Sequence, residues 1–206
     1  MEKHKKIKIL SFLVTLVFIG VATFLTMPLS LAGKGPGSGV PSLNQIEIDH
    51  LEYMREEEKL ARDVYLVMTD LWQTNPFARI AVSEQQHMDT MKAKLDKYGL
   101  PDSASIYEGV FNNTILQQKY DELIEAGAES LTDGLTVGAT IEEIDMVDIQ
   151  HAIADTDNLD VVVAYQNLLE GSKNHLRAYV NALARQGVTY TPQYISQALF
   201  EAIMGV

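Results

Sequence analysis

The chain has 206 residues, 47% of them hydrophobic, a formal net charge of −12 and no cysteine. That length suffices for one domain with a sizeable core. The missing thiols exclude disulfides, thiolate zinc sites, a rubredoxin-type iron centre and a cysteine nucleophile. The acidic balance argues against tracking a phosphate backbone, so nucleic acid is not an expected partner.

The amino terminus differs from the rest. Lys3, Lys5, Lys6 and Lys8 precede an uncharged apolar run from Ile9 to Met27, and Ser30-Leu31-Ala32 offers small residues where a signal peptidase reads. Residues 1–32 therefore read as a secretory signal peptide cleaved after Ala32. The run also approaches the ~20 residues that span a bilayer, so an uncleaved anchor is the alternative. Either way the domain is expected outside the cytoplasm, with membrane contact only through an uncleaved segment. Without residues 1–32 the chain keeps 12 basic and 27 acidic residues, a balance of −15. Residues 33–42, opening Gly33-Lys-Gly-Pro-Gly-Ser-Gly39, form a Gly-rich tether. The domain is expected over 43–206.

A first long helix is expected from about Leu43 to Trp72. Met54, Ala61, Met68 and Trp72 stack on one side, with Glu58, Tyr65 and Thr69 at its margin. Arg55, Lys59, Arg62, Asp63 and Asp70 mostly face away. A second helix, Phe77 to Tyr98, carries an inner stripe of Ile80, Glu84, His87, Met88, Met91 and Leu95, and stops at Gly99-Leu100-Pro101. Residues 102–113 read as a loop and Thr114 to Ala126 as a short helix, together a long crossover. A third long helix starts near Ser130 or Leu135 and ends at Ala154. Ala139, Met146, Ile149 and Ile153 form its stripe, with Glu142 in the middle, Asp145 at the edge and Glu143 on a more polar side. Asp155-Thr-Asp-Asn158 breaks the chain and supplies amino-terminal caps. The fourth helix runs from about Leu159 to Gln186. Val161, Tyr165, Leu168, Leu176, Tyr179 and Leu183 form its stripe, His175 borders it and Glu170 faces outward. A last short helix is expected from Tyr190-Thr-Pro192, with the proline at its first position, to about Met204. Strand patterns, heptads and repeats are absent from the sequence, so the fold class is all-α. His50 and His151 read as exposed and unpartnered, and Arg177 as the partner of a carboxylate.

The chemistry centres on Glu84-Gln-Gln-His87. Residues three apart share a helix face, and a Glu-x-x-His pair on an inward face is how helical bundles hold dinuclear iron or manganese. Glu58 and Glu142 lie on or beside the stripes of two other helices, and His175 beside a third. Burying one ionised carboxylate alone costs several kcal/mol. Divalent cations would compensate several buried together; arginine or lysine partners, or a helix rotation that brings them to solvent, are the alternatives.

Glu58-Lys-Leu-Ala61-Arg62-Asp-Val-Tyr65 resembles the first-helix motif of rubrerythrins and bacterioferritins, and Glu84-Gln-Gln-His87 is similar to their second-helix motif. Gly138-Ala-Thr-Ile-Glu-Glu-Ile-Asp145 and Gly171-Ser-Lys-Asn-His-Leu-Arg177 look like segments of an uncharacterised, often exported family of ferritin-like domains. The resemblance covers roughly residues 45–187. It implies an up-down four-helix bundle with a crossover between the second and third helices. It also implies a di-iron (or manganese) centre held by Glu58, Glu84, His87, Glu142 and His175, with Asp145 as a further ligand and Tyr65 as an outer hydrogen-bond donor or a core residue. Glu84 matches a bridging carboxylate. The fourth helix departs from the pattern, since Ser172 stands where a Glu is expected. This leaves two metals with Asp145 substituting, or one metal only. The implied partners are metal ions and oxygen or peroxide, with a homodimer among the assemblies left open. Turnover on oxygen or peroxide, metal storage without turnover, and a structural bundle with a degenerate site are the functions left open.

Overall fold

The computed structural model describes residues 42–206. The expected leader or anchor, and all of the tether but Ser42, lie outside the described residues. Among those residues the chain is all-α, with six helices: α1 (Gln45–Trp72), α2 (Phe77–Tyr98), α3 (Thr114–Gly127), α4 (Leu131–Ala154), α5 (Leu159–Arg185) and α6 (Gln197–Met204). None is long and apolar enough to cross a membrane.

α1 starts at Gln45, two residues later than expected, because Asn44 caps it. The Asn44 side chain accepts from the Glu47 amide, and Glu47 accepts from the Asn44 amide, a capping box. Glu47 also takes the Asn158 side-chain amide and the Thr156 hydroxyl, tying this end of α1 to the α4–α5 turn. Asn158 therefore does not cap α5 with its side chain, contrary to expectation. Gly99 ends α2 in the left-handed region at φ 71°, as its position suggested.

Short connections join α1 to α2 and α4 to α5, so each pair is an antiparallel hairpin. α1 also packs on α4, and α2 on α5, which closes the four long helices into a bundle. α3 lies against α1 and α4, and α6 against α5. Two apolar clusters fill the interior. One gathers Tyr65, Met68, Phe77, Ile80, Leu135, Ala139, Tyr179 and Leu183. The other gathers Leu51, Met54, Met91, Leu95, Ile149, Val161, Tyr165 and Leu168. On every long helix Glu58, Glu84, Glu142 or His175 falls in sequence between the two sets. The bundle thus has apolar ends and a polar middle layer. Close approach at one end depends on Gly138, where a Cβ would meet the Tyr179 ring at 2.5 Å.

The outer side of α1 departs from the helical-wheel reading. Lys59 and Asp63 are completely buried rather than solvated. Lys59 Nζ donates to Asp63 and sits 4.3 Å over the Phe111 ring. Asp63 also accepts from Arg62 and from the Gly109 amide. Glu56 accepts the Asn112 and Asn113 amides, and Arg55 grips Asp102. The crossover loop therefore covers the face that periodicity assigned to water, and charged side chains satisfy its backbone donors.

The carboxy-terminal helix starts five residues after Pro192, at Gln197, with Ser196 as its cap. Glu143 accounts for the delay. It is fully buried, not on a polar side, and its Oε2 accepts the backbone amides of Gln193, Tyr194 and Ile195. These amides point at a side chain, so residues 193–195 bend rather than coil. Arg177 donates to the Ile203 carbonyl and the Asn174 side chain, not to a carboxylate. His50 is half-buried and has a partner, Asp155, at 3.0 Å.

Candidate metal centre

Glu58 from α1, Glu84 and His87 from α2, Glu142 from α4 and His175 from α5 meet in the middle layer. They form two groups, Glu58–Glu84–His87 and Glu84–Glu142–His175, each with one atom per residue inside 4.8 Å of the others. The three carboxylates are at most 2% exposed. Glu84 belongs to both groups through different oxygens. Its Oε2 lies 2.8 Å from His87 Nδ1, and its Oε1 lies 2.8 Å from His175 Nδ1. Glu58 Oε2 is 3.2 Å from His87 Nδ1, and Glu142 Oε2 is 3.4 Å from His175 Nδ1. The arrangement is nearly symmetric: one carboxylate and one imidazole on each side, with Glu84 between.

These contacts have the distance of ion pairs, but not all have the angles of hydrogen bonds. Glu84 Oε1 and His175 Nδ1 both lack a hydrogen-bond partner despite their proximity, as does Glu58 Oε1. Buried polar atoms are rarely left so. Three carboxylates and two imidazole Nδ1 atoms converging without full mutual satisfaction could hold a metal ion through oxygen and nitrogen. The centre therefore suits metal on its own geometry.

The surrounding hydrogen bonds orient the donors. Tyr65 donates to Glu142 Oε1 at 2.5 Å and is at the same time part of the apolar core. Ser83 Oγ lies 2.9 Å from His175 Nε2. With Nε2–H donating to Ser83, Nδ1 is free to face the carboxylates. Ser83, one residue before Glu84, carries no signal in the sequence, because its role depends on where α5 places His175. Gly171 leaves room for His87: a Cβ there would meet the ring at 2.5 Å.

Asp145 is buried but stands outside both groups. The Ser172 hydroxyl donates to its Oδ2 at 2.5 Å, while its Oδ1 has no partner. Ser172, the position of the missing carboxylate, thus holds the additional one. Glu143 and Glu170 take no part. Glu143 secures the segment before α6, and Glu170 is exposed and pairs with Lys173.

Charge states follow from burial and proximity. Burial by itself lowers an imidazole, but Glu58 and then Glu84 outweigh it and raise His87 to about 12. Glu142 and Glu84 likewise raise His175 to about 10 against burial. Burial also acts to raise Glu84, but His175 and then His87 pull it below the ordinary carboxylate range. Burial pushes Glu58 upward, and burial with the Glu84 charge does the same to Glu142. Without metal, protons on the two imidazoles supply the positive charge that the carboxylates require.

Fold and site together define an all-α bundle with a buried carboxylate–imidazole cluster that could hold a metal ion. Residues 47–206 match the family model described as "Uncharacterized protein domain (DUF2202)", and the chain belongs to that family. It is similar to the uncharacterized protein MJ0754 of Methanocaldococcus jannaschii, at 47% identity over 163 residues, spanning 79% of this chain and 88% of the relative. The crystal structure of hypothetical protein MJ0754 from Methanococcus jannaschii DSM 2661 superposes with a TM-score of 0.79 at 45% identity. It covers 82% of this chain and 98% of that one.

Proposed function

We propose that this protein is an exported ferritin-like metal protein. Its centre holds two ions, iron or manganese, through Glu58 and His87 on one side, Glu142 and His175 on the other, and Glu84 between. Asp145 is held in reserve by Ser172 as a further ligand. The observation that carries the reading is Glu84, whose two oxygens each face a different imidazole Nδ1 at 2.8 Å. A carboxylate shared in this way serves two positions, which favours two ions over one. Bound iron or manganese would supply redox chemistry toward oxygen or peroxide. The chain's own residues hold the ions apart from bulk water and orient the imidazoles, Ser83 fixing His175 through Nε2. Metal analysis of the purified domain tests the proposal, with two ions per chain expected. Content near zero after loading with Fe(II), Mn(II) and Co(II) in turn would refute it. Oxygen or peroxide consumption by the loaded protein separates turnover from storage.

Gly171→Ala is expected to displace the His87 ring, because the new methyl overlaps it. The Glu58–His87 position should weaken by about 10–100-fold, the usual cost of disturbing what orients a ligand, while the Glu142–His175 position persists. Cobalt titration should then resolve one tight and one weak event. Two unchanged affinities would show that His87 is not a ligand.

The metal-free protein is expected to lose stability as pH rises. Both imidazoles bind their protons more tightly folded than unfolded, where they titrate near 6.5. Their contribution is complete below that value and is lost as pH climbs through about 10 for His175 and about 12 for His87. Glu58 and Glu142 act in the same sense at lower pH, since their carboxyls are raised on folding. Glu84, lowered on folding, contributes stability that is lost only in acid. Metal competes with the same protons, so affinity should rise over the range in which metal-free stability falls. Urea unfolding and metal titration across pH, run in parallel, check both slopes.

A further inference from the structure

Glu142, Asp145 and Asp148 stand three residues apart on α4. Each such step advances about 4.5 Å along a helix and turns about 60° short of a full rotation. A row with this spacing winds from one face toward its edge. Burial follows the winding: Glu142 is 1% exposed, Asp145 is 5% exposed and Asp148 is half-buried. α1 faces the row with Glu57, which is 4% exposed and next in sequence to Glu58. The Tyr53 hydroxyl spans the outer end, 3.3 Å from Glu57 Oε1 and 3.4 Å from Asp148 Oδ2. Lys119 of α3 donates to that hydroxyl at 3.3 Å rather than to a carboxylate.

A structural network would satisfy its oxygens, and this one does not. Glu57 Oε2 and Asp145 Oδ1 are both buried without a hydrogen-bond partner. Leaving carboxylate oxygens unpartnered inside a bundle is costly. Resting on the metal reading above, we infer that the row Asp148–Glu57–Asp145 is the route by which divalent cations pass from solvent to the Glu58–Glu84–Glu142 centre. A cation entering a bundle sheds water, and carboxylates spaced along the path replace that hydration step by step. Asp148 collects the ion at the half-buried end. Glu57 and Asp145 pass it inward through their unpartnered oxygens, and Lys119 opposes it at the mouth.

Rates of cobalt uptake and release distinguish a route from a ligand set. Metal-free domain is mixed with Co(II) in a stopped-flow instrument, followed by the visible absorption of bound cobalt. Release is followed after adding excess chelator. Asp148→Asn and Glu57→Gln are expected to slow uptake by about tenfold or more, in the range that focused charge contributes to on-rates. Asp148→Asn should slow release equally, so that its affinity and the final cobalt per chain stay at the wild-type level. Lys119→Met should accelerate uptake. Rates within twofold of wild type for both carboxylate variants would overturn the route, as would faster release with weakened affinity in Asp148→Asn, the signature of a ligand. Wild-type protein that takes up no cobalt would instead overturn the metal centre itself, and the route with it. Circular dichroism confirms that each variant remains folded.

Discussion

Glu84→Ala is expected to abolish binding at both metal positions, whereas Glu58→Ala or Glu142→Ala should remove one and leave the other. The asymmetry follows from connectivity. Of the two imidazoles, Glu58 approaches only that of His87 and Glu142 only that of His175, but Glu84 approaches both. The loss should exceed the roughly 10–100-fold that removal of an outer hydrogen-bond partner costs. Metal content should fall near zero in Glu84→Ala and to about half in each of the others, while Glu143→Ala and Glu170→Ala keep full content. Bound metal stabilises only the folded state, so added metal should also cease to raise the melting temperature of Glu84→Ala. Full metal content in that variant would end the proposal of a shared carboxylate.

The second large effect lies outside the centre. Asp63→Ala should destabilise the metal-free protein by about 3–5 kcal/mol, the cost of leaving one partner of a buried ion pair alone. Lys59 has no exposed surface and would keep only the Phe111 ring and whatever water the cavity admits. The Gly109 amide would lose its acceptor as well. Lys59→Met combined with Asp63→Ala should recover part of the loss, because removing both charges avoids the uncompensated one. Urea unfolding of the two single variants and the double variant gives the coupling directly. A cost under about 1 kcal/mol for Asp63→Ala would be that of a solvated pair and would show that the crossover loop does not seal this face in solution.

The long helices and the chief members of the centre were legible because both are properties of periodicity. Apolar residues recurring at helical spacing mark an inward face, and a Glu or His within that stripe must be inward as well. This is why Glu58, Glu84, His87, Glu142 and His175 could be named before any packing was known, and why Glu142 could be preferred to Glu143. Glu142 joins the cluster and Glu143 does not, but an outward position on the wheel is not the reason. A residue off the main stripe is outside the bundle core yet need not be outside the protein. Glu143 is buried beneath residues 193–195, and Lys59 and Asp63 beneath the crossover loop. A helical wheel has one inside and one outside, and it carries no information about a loop returning from fifty residues away.

The sequence by itself determined the all-α character of the described domain, the approximate bounds of its long helices and which carboxylates and imidazoles share inward faces. Each of these depends on spacing along a single helix. Only the tertiary structure decided that Glu84 presents one oxygen to each imidazole, and that Ser172 holds Asp145 outside both groups. The same holds for the pairing of Ser83 with His175, the space Gly171 leaves for His87, and the delay of α6 beyond Pro192. Each of these depends on the relative rotation and height of two elements distant in the chain. That placement is set by how whole helix faces pack and by which backbone amides a distant side chain can reach, and neither is encoded in the local pattern of either partner.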